Sequence, residues 1–272
     1  MNMVVCLKQV IDPEAPVASF KIDSSSNTVV PPSGVPPVIN PFDLNALETA
    51  LQIKDKLGGT VTVISMGPLQ AESALRDALS RGVNDAILLS DKIFIDADTL
   101  ATSYTLAVAI RKIGGSDLII CGEKTVDGDT GQVGPGIAEY LGIPHVAYVS
   151  EIKKIGEKMV LACEMEDDRY LMESGLPLLI TVTKEINVPR LPSLSNKLKA
   201  RKAKIKIWTA ADLASIADQS RFGLQGSPTR VFKITIPTKE GRKGEMLKGT
   251  VDEAVGRIVD AFEKRRILQG LK

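Results

Sequence analysis

One segment constrains this chain more than any other. Residues 121–136 read Cys-Gly-Glu-Lys-Thr-Val-Asp-Gly-Asp-Thr-Gly-Gln-Val-Gly-Pro-Gly. They follow an apolar run, Asp117-Leu118-Ile119-Ile120, and precede a helix-like run, Ile137-Ala138-Glu139-Tyr140-Leu141. A glycine-rich turn between strand and helix is where α/β proteins hold phosphates. Free backbone N–H groups point at the anion there, and the helix dipole adds positive potential. Pro135 has no N–H and fits the first helical turn. The N–H groups of about Thr130 to Gly134 are then expected to lack helical partners. Gly122, Gly128, Gly131, Gly134 and Gly136 are expected to let a ligand approach the backbone. The same pattern also suits an ordinary strand-to-helix turn.

The first 150 residues alternate strand and helix. Strands are predicted at Met3–Leu7, Thr60–Ser65, Ala86–Leu89, Asp117–Cys121 and His145–Val149. Helices are predicted at Asp43–Leu57, Leu69–Arg81, Thr99–Ile113 and Gly134–Leu141. In the second helix Ala71, Ala74, Leu75, Ala78 and Leu79 recur at helical spacing. Gly58-Gly59 and Gly114-Gly115 serve as helix stops. Short apolar strands separated by amphipathic helices imply an α/β fold with a parallel sheet covered on both faces. Ligands of such sheets lie beyond the C-terminal strand ends. Cys6-Leu7-Lys8, Ser65-Met66-Gly67 and Cys121-Gly122 occupy that edge.

Residues 12–40 interrupt the alternation. Ser24-Ser25-Ser26-Asn27, followed by five prolines from Pro31 to Pro41, reads as a hairpin and loop. Ile152–Ile155, Lys158–Glu164, Arg169–Glu173 and Leu178–Val182, with turns at Gly156 and Asp167-Asp168, read as an antiparallel extension of the sheet. From Asn187 the chain reads as less compact. The expected division is an α/β domain over 1–186, an exposed loop and basic segment over 187–204, a return to the core over 205–236, and a linker with a C-terminal helix over 237–272. The linker is Lys239-Glu240-Gly241-Arg242-Lys243-Gly244. The helix, Val251–Leu268, places Val255, Ile258, Val259 and Phe262 on one stripe. It suits packing on its own domain or reaching onto a partner, and packing on a partner subunit is the expectation. The basic run from Lys197 to Lys204 suits either a solvated face or the steering of an acidic partner.

Composition narrows the function classes. The net charge is +1 and aromatics make up 4% of 272 residues. Neither favours nucleic acid or a membrane surface. No apolar run approaches the roughly 18 residues of a membrane span, and the N-terminus reads as a strand rather than a signal peptide. Cys6, Cys121 and Cys163 are odd in number and unpaired in spacing, which suits reduced thiols in the cytoplasm. His145 is the single histidine, so no multi-histidine metal site or histidine triad can be built. With no acid–base or nucleophilic constellation evident, any chemistry falls to a bound cofactor.

Several stretches together resemble the β subunit of an electron transfer flavoprotein. They are Cys6-Leu7-Lys8-Gln9-Val10-Ile11-Asp12-Pro13, Ile39-Asn40-Pro41-Phe42-Asp43, Met66-Gly67-Pro68, Ala74-Leu75-Arg76-Asp77-Ala78-Leu79 with Arg81-Gly82, the 121–136 loop, and Glu164 onward through Leu176-Pro177-Leu178-Leu179-Ile180-Thr181-Val182. Neither GxxxxGK[ST] nor a full GxGxxG is present, so the loop is neither a P-loop nor an ordinary NAD-binding turn. The resemblance implies an adenine nucleotide α-hydrolase-like fold and pairing with a larger α subunit carrying an electron-transferring FAD. The β subunit itself would bind FAD or, alternatively, AMP. FAD-binding members oxidise NADH and divide its electrons between the α-subunit FAD and a low-potential carrier such as ferredoxin or flavodoxin. The chain would then be an electron-transfer subunit of an NADH-oxidising complex rather than a stand-alone enzyme. AMP-type members resemble Asp-Asp-Asp-Cys-Asn-Gln-Thr across the loop. Here Asp127-Gly128-Asp129-Thr130-Gly131-Gln132-Val133-Gly134-Pro135 and Asp98-Thr99-Leu100-Ala101-Thr102-Ser103 resemble the FAD-binding group.

The resemblance implies roles residue by residue. N–H groups of Thr130, Gly131, Gln132, Val133 and Gly134 would hold the pyrophosphate, with the Thr130 hydroxyl and Gln132 amide assisting. Asp127 and Asp129 would bind ribose hydroxyls or cap the turn, with Thr125 and Gly128 beside them. Cys6, Leu7, Met66, Gly67, Cys121 and Gly122 would frame the adenine end, although core packing explains Cys6 and Met66 equally well. Asn40 would contact the nucleotide or cap the helix near Asp43, itself a candidate contact, as are Asp98 and Thr99. Lys8 would compensate phosphate charge or hold an acidic loop. Leu191 and Leu194, followed by Lys197, Lys199 and Arg201, would dock an acyl-CoA dehydrogenase-like or other flavin dehydrogenase. Three readings stay open: the electron-dividing subunit, a subunit with structural AMP, and a free-standing adenine-nucleotide-binding regulator.

Overall fold

A computed structural model describes residues 1–16, 21–23, 28–30, 34–166, 168–232, 234 and 246–265. They fall into two units, Met1–Ile234 and Thr235–Lys272. The first unit contains strands β1 (Asn2–Cys6), β2 (Gln9–Val10), β3 (Lys21–Asp23), β4 (Thr28–Val30), β5 (Val38–Ile39), β6 (Thr60–Met66), β7 (Asp85–Leu89), β8 (Leu118–Gly122), β9 (His145–Lys154), β10 (Lys158–Met165), β11 (Asp168–Gly175), β12 (Leu178–Val182) and β13 (Lys206–Trp208). Its helices are α1 (Pro41–Leu57), α2 (Glu72–Arg81), α3 (Thr99–Ile113), α4 (Val133–Leu141), α5 (Leu194–Lys202) and α6 (Ala210–Leu213). The second unit contains α7 (Val251–Lys264).

Among the described residues, nine strands form one sheet in the order β11-β10-β9-β12-β8-β1-β6-β7-β13. The pairs from β9 through β13 are parallel, and β10 and β11 add antiparallel strands at one edge. The period-2 alternation of each strand sorts its side chains between two cores. Met3, Val5, Val61, Val63 and Ile120 meet α1 and α2 through Leu47, Leu51 and Leu75. Val4, Ile64, Ile119 and Cys121 meet α3 and α4 through Ala107, Ile110 and Ile137. Gly58 and Gly114 end α1 and α3 with positive φ, as the paired glycines predict. The first turn of the predicted helix at Leu69 is a short 3-10 turn, Leu69–Ala71, leading into α2.

Three expectations need correction. Leu178–Val182 does not join the antiparallel extension. It runs parallel between β8 and β9, with every residue buried. A strand covered on both faces reads as an unbroken apolar run, and Leu-Leu-Ile-Thr-Val is one. The chain therefore makes the β9–β10–β11 meander and returns to fill a central position. His145–Val149 and Ile152–Ile155 belong to one strand, β9, whose ladder is interrupted by register shifts. Tyr148 stands at that irregularity with φ +58, uncommon for a bulky side chain. Nor does the less compact reading from Asn187 hold throughout: the expected return to the core after residue 205 takes place. β13 extends the sheet beside β7, Leu213 and Phe222 are fully buried, and the Phe222 ring meets Phe94 edge-on at 5.2 Å.

In the 12–40 region β3 pairs antiparallel with β4, and β2 with β5. The turn at 24–27, Asp167 and the linker at 239–244 lie outside the described residues. α7 carries a capping box from Thr250 and Glu253. Its stripe of Val255, Ile258, Val259 and Phe262 is exposed; the predicted end at Leu268 lies outside the described residues.

Because Phe222 fills the second core from the far end of the first unit, Phe222→Ala is expected to cost about 3–5 kcal/mol of unfolding free energy. Urea denaturation measures it, and an unchanged midpoint would show that the segment after β13 contributes no core.

Candidate functional site

The C-terminal ends of β1, β6 and β8 converge on one edge of the sheet, as parallel pairing requires. Asp43, in the first turn of α1, ties two of them together. Its Oδ2 accepts from the Lys8 backbone N–H at 2.8 Å and its Oδ1 from the Gly122 N–H at 3.1 Å. A Cβ on Gly122 would lie 2.5 Å from Asp43 Oδ1 and 2.7 Å from Phe42 atoms. Glycine is therefore required for α1 to come this close. Burial pushes the Asp43 carboxyl up to about 7, and hydrogen bonds from Lys8, Asn40 and Gly122 oppose the rise without cancelling it.

Asn40 is fully buried and makes no cap bond to α1. Its Nδ2 donates to the Lys124 carbonyl at 2.9 Å, and its Oδ1 accepts from the Val126 N–H at 3.1 Å. The amide thus staples the glycine-rich loop rather than capping the helix. Lys8 Nζ meets Asp127 at 2.7 Å, and Lys124 Nζ meets Asp129 at 2.8 Å. These exposed pairs contribute little stability, but they neutralise both aspartates of the loop. Leu7 lies in the first core, and Cys6 and Cys121 lie in the second. Met66 is half-buried, and the Gly67 N–H bonds the Leu89 carbonyl at 3.0 Å.

The loop turns on Thr125, whose carbonyl accepts from Gly128 and Asp129. Asp129 and Gly131 then adopt positive φ, +53 and +65. The backbone N–H groups of Thr130, Gly131, Gln132, Val133 and Gly134 have no acceptor among the described residues. The Thr99 hydroxyl donates to Gln132 Oε1 at 2.8 Å, which leaves the Gln132 amide nitrogen for other acceptors. Asp98 caps α3 through Leu100 and Ala101 and also accepts from the Thr229 N–H and hydroxyl. Desolvation pushes its carboxyl up, but these four hydrogen bonds together hold it below the ordinary value.

The five loop glycines do not share one purpose. Gly134 admits Thr181, whose Cγ2 would lie 2.6 Å from an added Cβ, and Gly136 admits the Ser103 hydroxyl at 2.5 Å. Together with Gly122, they let helices approach a strand or each other, not a ligand. Gly128 and Gly131 shape the turn itself: an added Cβ would stand 3.1 Å from the Thr125 hydroxyl and 3.4 Å from the Glu123 carbonyl, and Gly131 holds a positive φ. This donor set matches a phosphate or diphosphate: five free amides, a hydroxyl at Thr130, and neighbouring aspartates already paired.

Sequence reasoning missed three residues here. Glu123 has a side chain only 14% exposed, and burial raises its carboxyl, with Lys124 opposing and Glu185 and Asp129 reinforcing the shift. Lys124 links the loop to Asp129. Tyr148 is 40% exposed, and its hydroxyl would lie 3.6 Å from a Cβ on Gly131. No spacing in the sequence signals Tyr148, because the β9 irregularity that aims it arises from sheet pairing. Elsewhere on the first unit Leu191 and Leu194 are 88% and 74% exposed, and Lys197, Lys199 and Arg201 are exposed on α5. Among the described residues no cluster of His, Cys, Asp and Glu suits a metal ion, and no helix is long and apolar enough to cross a membrane.

Asp43 makes a pH prediction with an unusual sign. Its folded value lies above the ordinary 3.8, so between about 4 and 7 the folded state binds more protons than the unfolded one. Its contribution is then complete below 3.8 and is lost as pH rises towards 7. Asp43→Asn replaces the neutral acid with an isostere that does not titrate, so it removes this pH dependence. The wild type's stability relative to this variant should fall from pH 4 to pH 7 in urea titrations. A gap independent of pH would contradict the buried carboxyl's titration.

Residues 28–213 match the Electron transfer flavoprotein domain family. The chain is 45% identical over 269 residues to the electron transfer flavoprotein subunit beta of Thermoanaerobacterium thermosaccharolyticum, covering 98% of this chain and 100% of that one. It is 42% identical over 273 residues to protein FixA of Azorhizobium caulinodans, with 98% and 95% covered. It is also 42% identical over 270 residues to the caffeyl-CoA reductase-Etf complex subunit CarD of Acetobacterium woodii, with 98% and 100% covered. A likeness running from end to end, on a fold whose strand edge carries the glycine-rich loop, shows that the chain belongs to the electron transfer flavoprotein β subunits.

Proposed function

We propose that this chain pairs with an electron transfer flavoprotein α subunit and holds FAD on the amides of Thr130 to Gly134. The carrying observation is that run of five N–H groups without acceptors among the described residues. Bound there, FAD would supply hydride acceptance from NADH and one-electron delivery, both to the α-subunit FAD and to a low-potential carrier such as ferredoxin or flavodoxin. The chain's own part is binding and orientation. Amides 130–134 and the Thr130 hydroxyl donate to the diphosphate. Asn40 and Asp43 hold the loop and strand ends in register, and the Lys8–Asp127 and Lys124–Asp129 pairs keep carboxylate charge from the phosphates. The stretch from Asp127 to Pro135, which resembles that of the FAD-binding group, supports FAD over AMP.

The exposed Leu191 and Leu194, rimmed by Lys197, Lys199 and Arg201, form the docking point for a flavin dehydrogenase. The description of the Acetobacterium woodii relative, a subunit of a complex with caffeyl-CoA reductase, supports a partner acting on a CoA thioester. The β-subunit relatives, matched along their whole length, weigh against a free-standing regulator. We place the complex in the cytoplasm, in keeping with three free cysteines.

Purification with the α subunit, denaturation and quantification of released nucleotides tests the reading. Two FAD and no AMP per heterodimer are expected. One FAD with one AMP would replace the electron-dividing reading by one in which the nucleotide only braces the fold.

A further inference from the structure

One helix holds the base of the exposed loop. Along α1, Asn45, Glu48, Thr49 and Asp55 recur at helical spacing and reach a single segment, residues 187–190. Asn45 Nδ2 donates to the Asn187 carbonyl at 2.8 Å and to Asn187 Oδ1 at 3.0 Å. Asn187 Nδ2 donates back to the Asn45 carbonyl at 3.0 Å and to the Thr49 hydroxyl at 2.8 Å. Glu48, whose side chain is 6% exposed, takes three hydrogen bonds from Arg190: the backbone N–H at 3.1 Å, Nε at 2.8 Å and Nη2 at 3.1 Å. Arg190 Nη2 also meets Asp55 at 2.8 Å. Arg81 donates to the Arg190 carbonyl. At the far end Arg76 Nη1 donates to the carbonyls of Ala200, Arg201 and Ala203, closing α5.

The segment is therefore bonded at both ends while Val188, Leu191 and Leu194 between them stay exposed. Leucines on a mobile loop would lose entropy on docking; leucines on a clamped loop lose less, and affinity rises accordingly. Glu48 explains why the clamp is an arginine. A buried carboxylate needs its charge met by a fork of donors, and a lysine supplies a point charge without the planar pair of N–H groups.

We propose that Arg190 is a positioning residue for partner docking: its bidentate bond to Glu48 holds Leu191 and Leu194 in the orientation a flavin dehydrogenase engages. The inference rests on the docking reading above. It assigns to the flank of α1, through Glu48 and Asp55 rather than Asp43, control over how well the partner is captured.

The test uses the α–β heterodimer and the acyl-CoA dehydrogenase that the wild type reduces fastest. The variants are Arg190→Lys, Glu48→Gln, their combination, and the double Leu191→Ala/Leu194→Ala. Arg190→Lys is expected to raise the KM for the dehydrogenase at least tenfold, with kcat and bound nucleotide unchanged. Amide hydrogen exchange over 188–194 should quicken in Arg190→Lys and Glu48→Gln but not in the double leucine variant. The combined Glu48→Gln/Arg190→Lys variant should be no worse than either single one, since both break the same bond. An unchanged KM in Arg190→Lys beside a raised KM in the double leucine variant would overturn the clamp and leave the docking reading standing. An unchanged KM in the double leucine variant would overturn the docking reading, and the inference with it. Loss of nucleotide or of the heterodimer in both Arg190→Lys and Glu48→Gln would also overturn it, since the pair would then hold the fold rather than the loop.

Discussion

The two hydrogen bonds that Asp43 accepts from the backbone of Lys8 and Gly122 are what the rest of the site depends on. Parallel strands end with free amides, and an edge of this kind drifts unless something spans it. A carboxylate at the first turn of α1 spans β1 and β8 with one oxygen each. Its geometry leaves room for no side chain at residue 122, so the loop must begin with glycine. Burial makes the same carboxylate reluctant to ionise. The junction therefore trades some electrostatic cost for a fixed starting point of the loop.

From that starting point the loop is built with few contacts of its own. Asn40 holds its first half, and two exposed lysine–aspartate pairs hold its turn. α4 is then pressed against β12 and α3 through Gly134 and Gly136. At a helix start no carbonyl lies one turn back to accept the first N–H groups, and here five successive amides have no acceptor among the described residues. Glycine in this segment thus serves tight helix–strand contact at Gly134 and Gly136 and the turn itself at Gly131.

α1 also joins two features that lie apart in the sequence. Its N-terminus organises the glycine-rich loop through Asn40 and Asp43, and its flank holds residues 187–190 through Asn45, Glu48 and Asp55. A helix is stiff over this length, so the spacing between these features is set by covalent geometry and backbone hydrogen bonding. Such a beam keeps the exposed leucine loop in constant relation to the strand edge.

The glycine-rich loop, the alternation of strands and helices and the helix-stopping glycines could be read directly from the amino acids, because each is a local rule of period, propensity or missing donor. The family was legible for a related reason: its motifs are contiguous. What the sequence left undetermined was everything decided by pairing at long range. Leu178–Val182 is apolar in either kind of sheet, and only the vacancy between β8 and β9 made it parallel. Asn40 looks like a helix cap until the 124–126 loop is placed beside it. Tyr148 and Glu48 carry no local signature at all; one acquires its direction from an irregular ladder and the other its partner from a residue 142 positions away. Sequence alone determined the elements and the donors of the loop, through interactions a few residues long. Tertiary structure decided which side chains those donors and the exposed leucines would lean on, because close packing brings together groups that no short-range pattern relates.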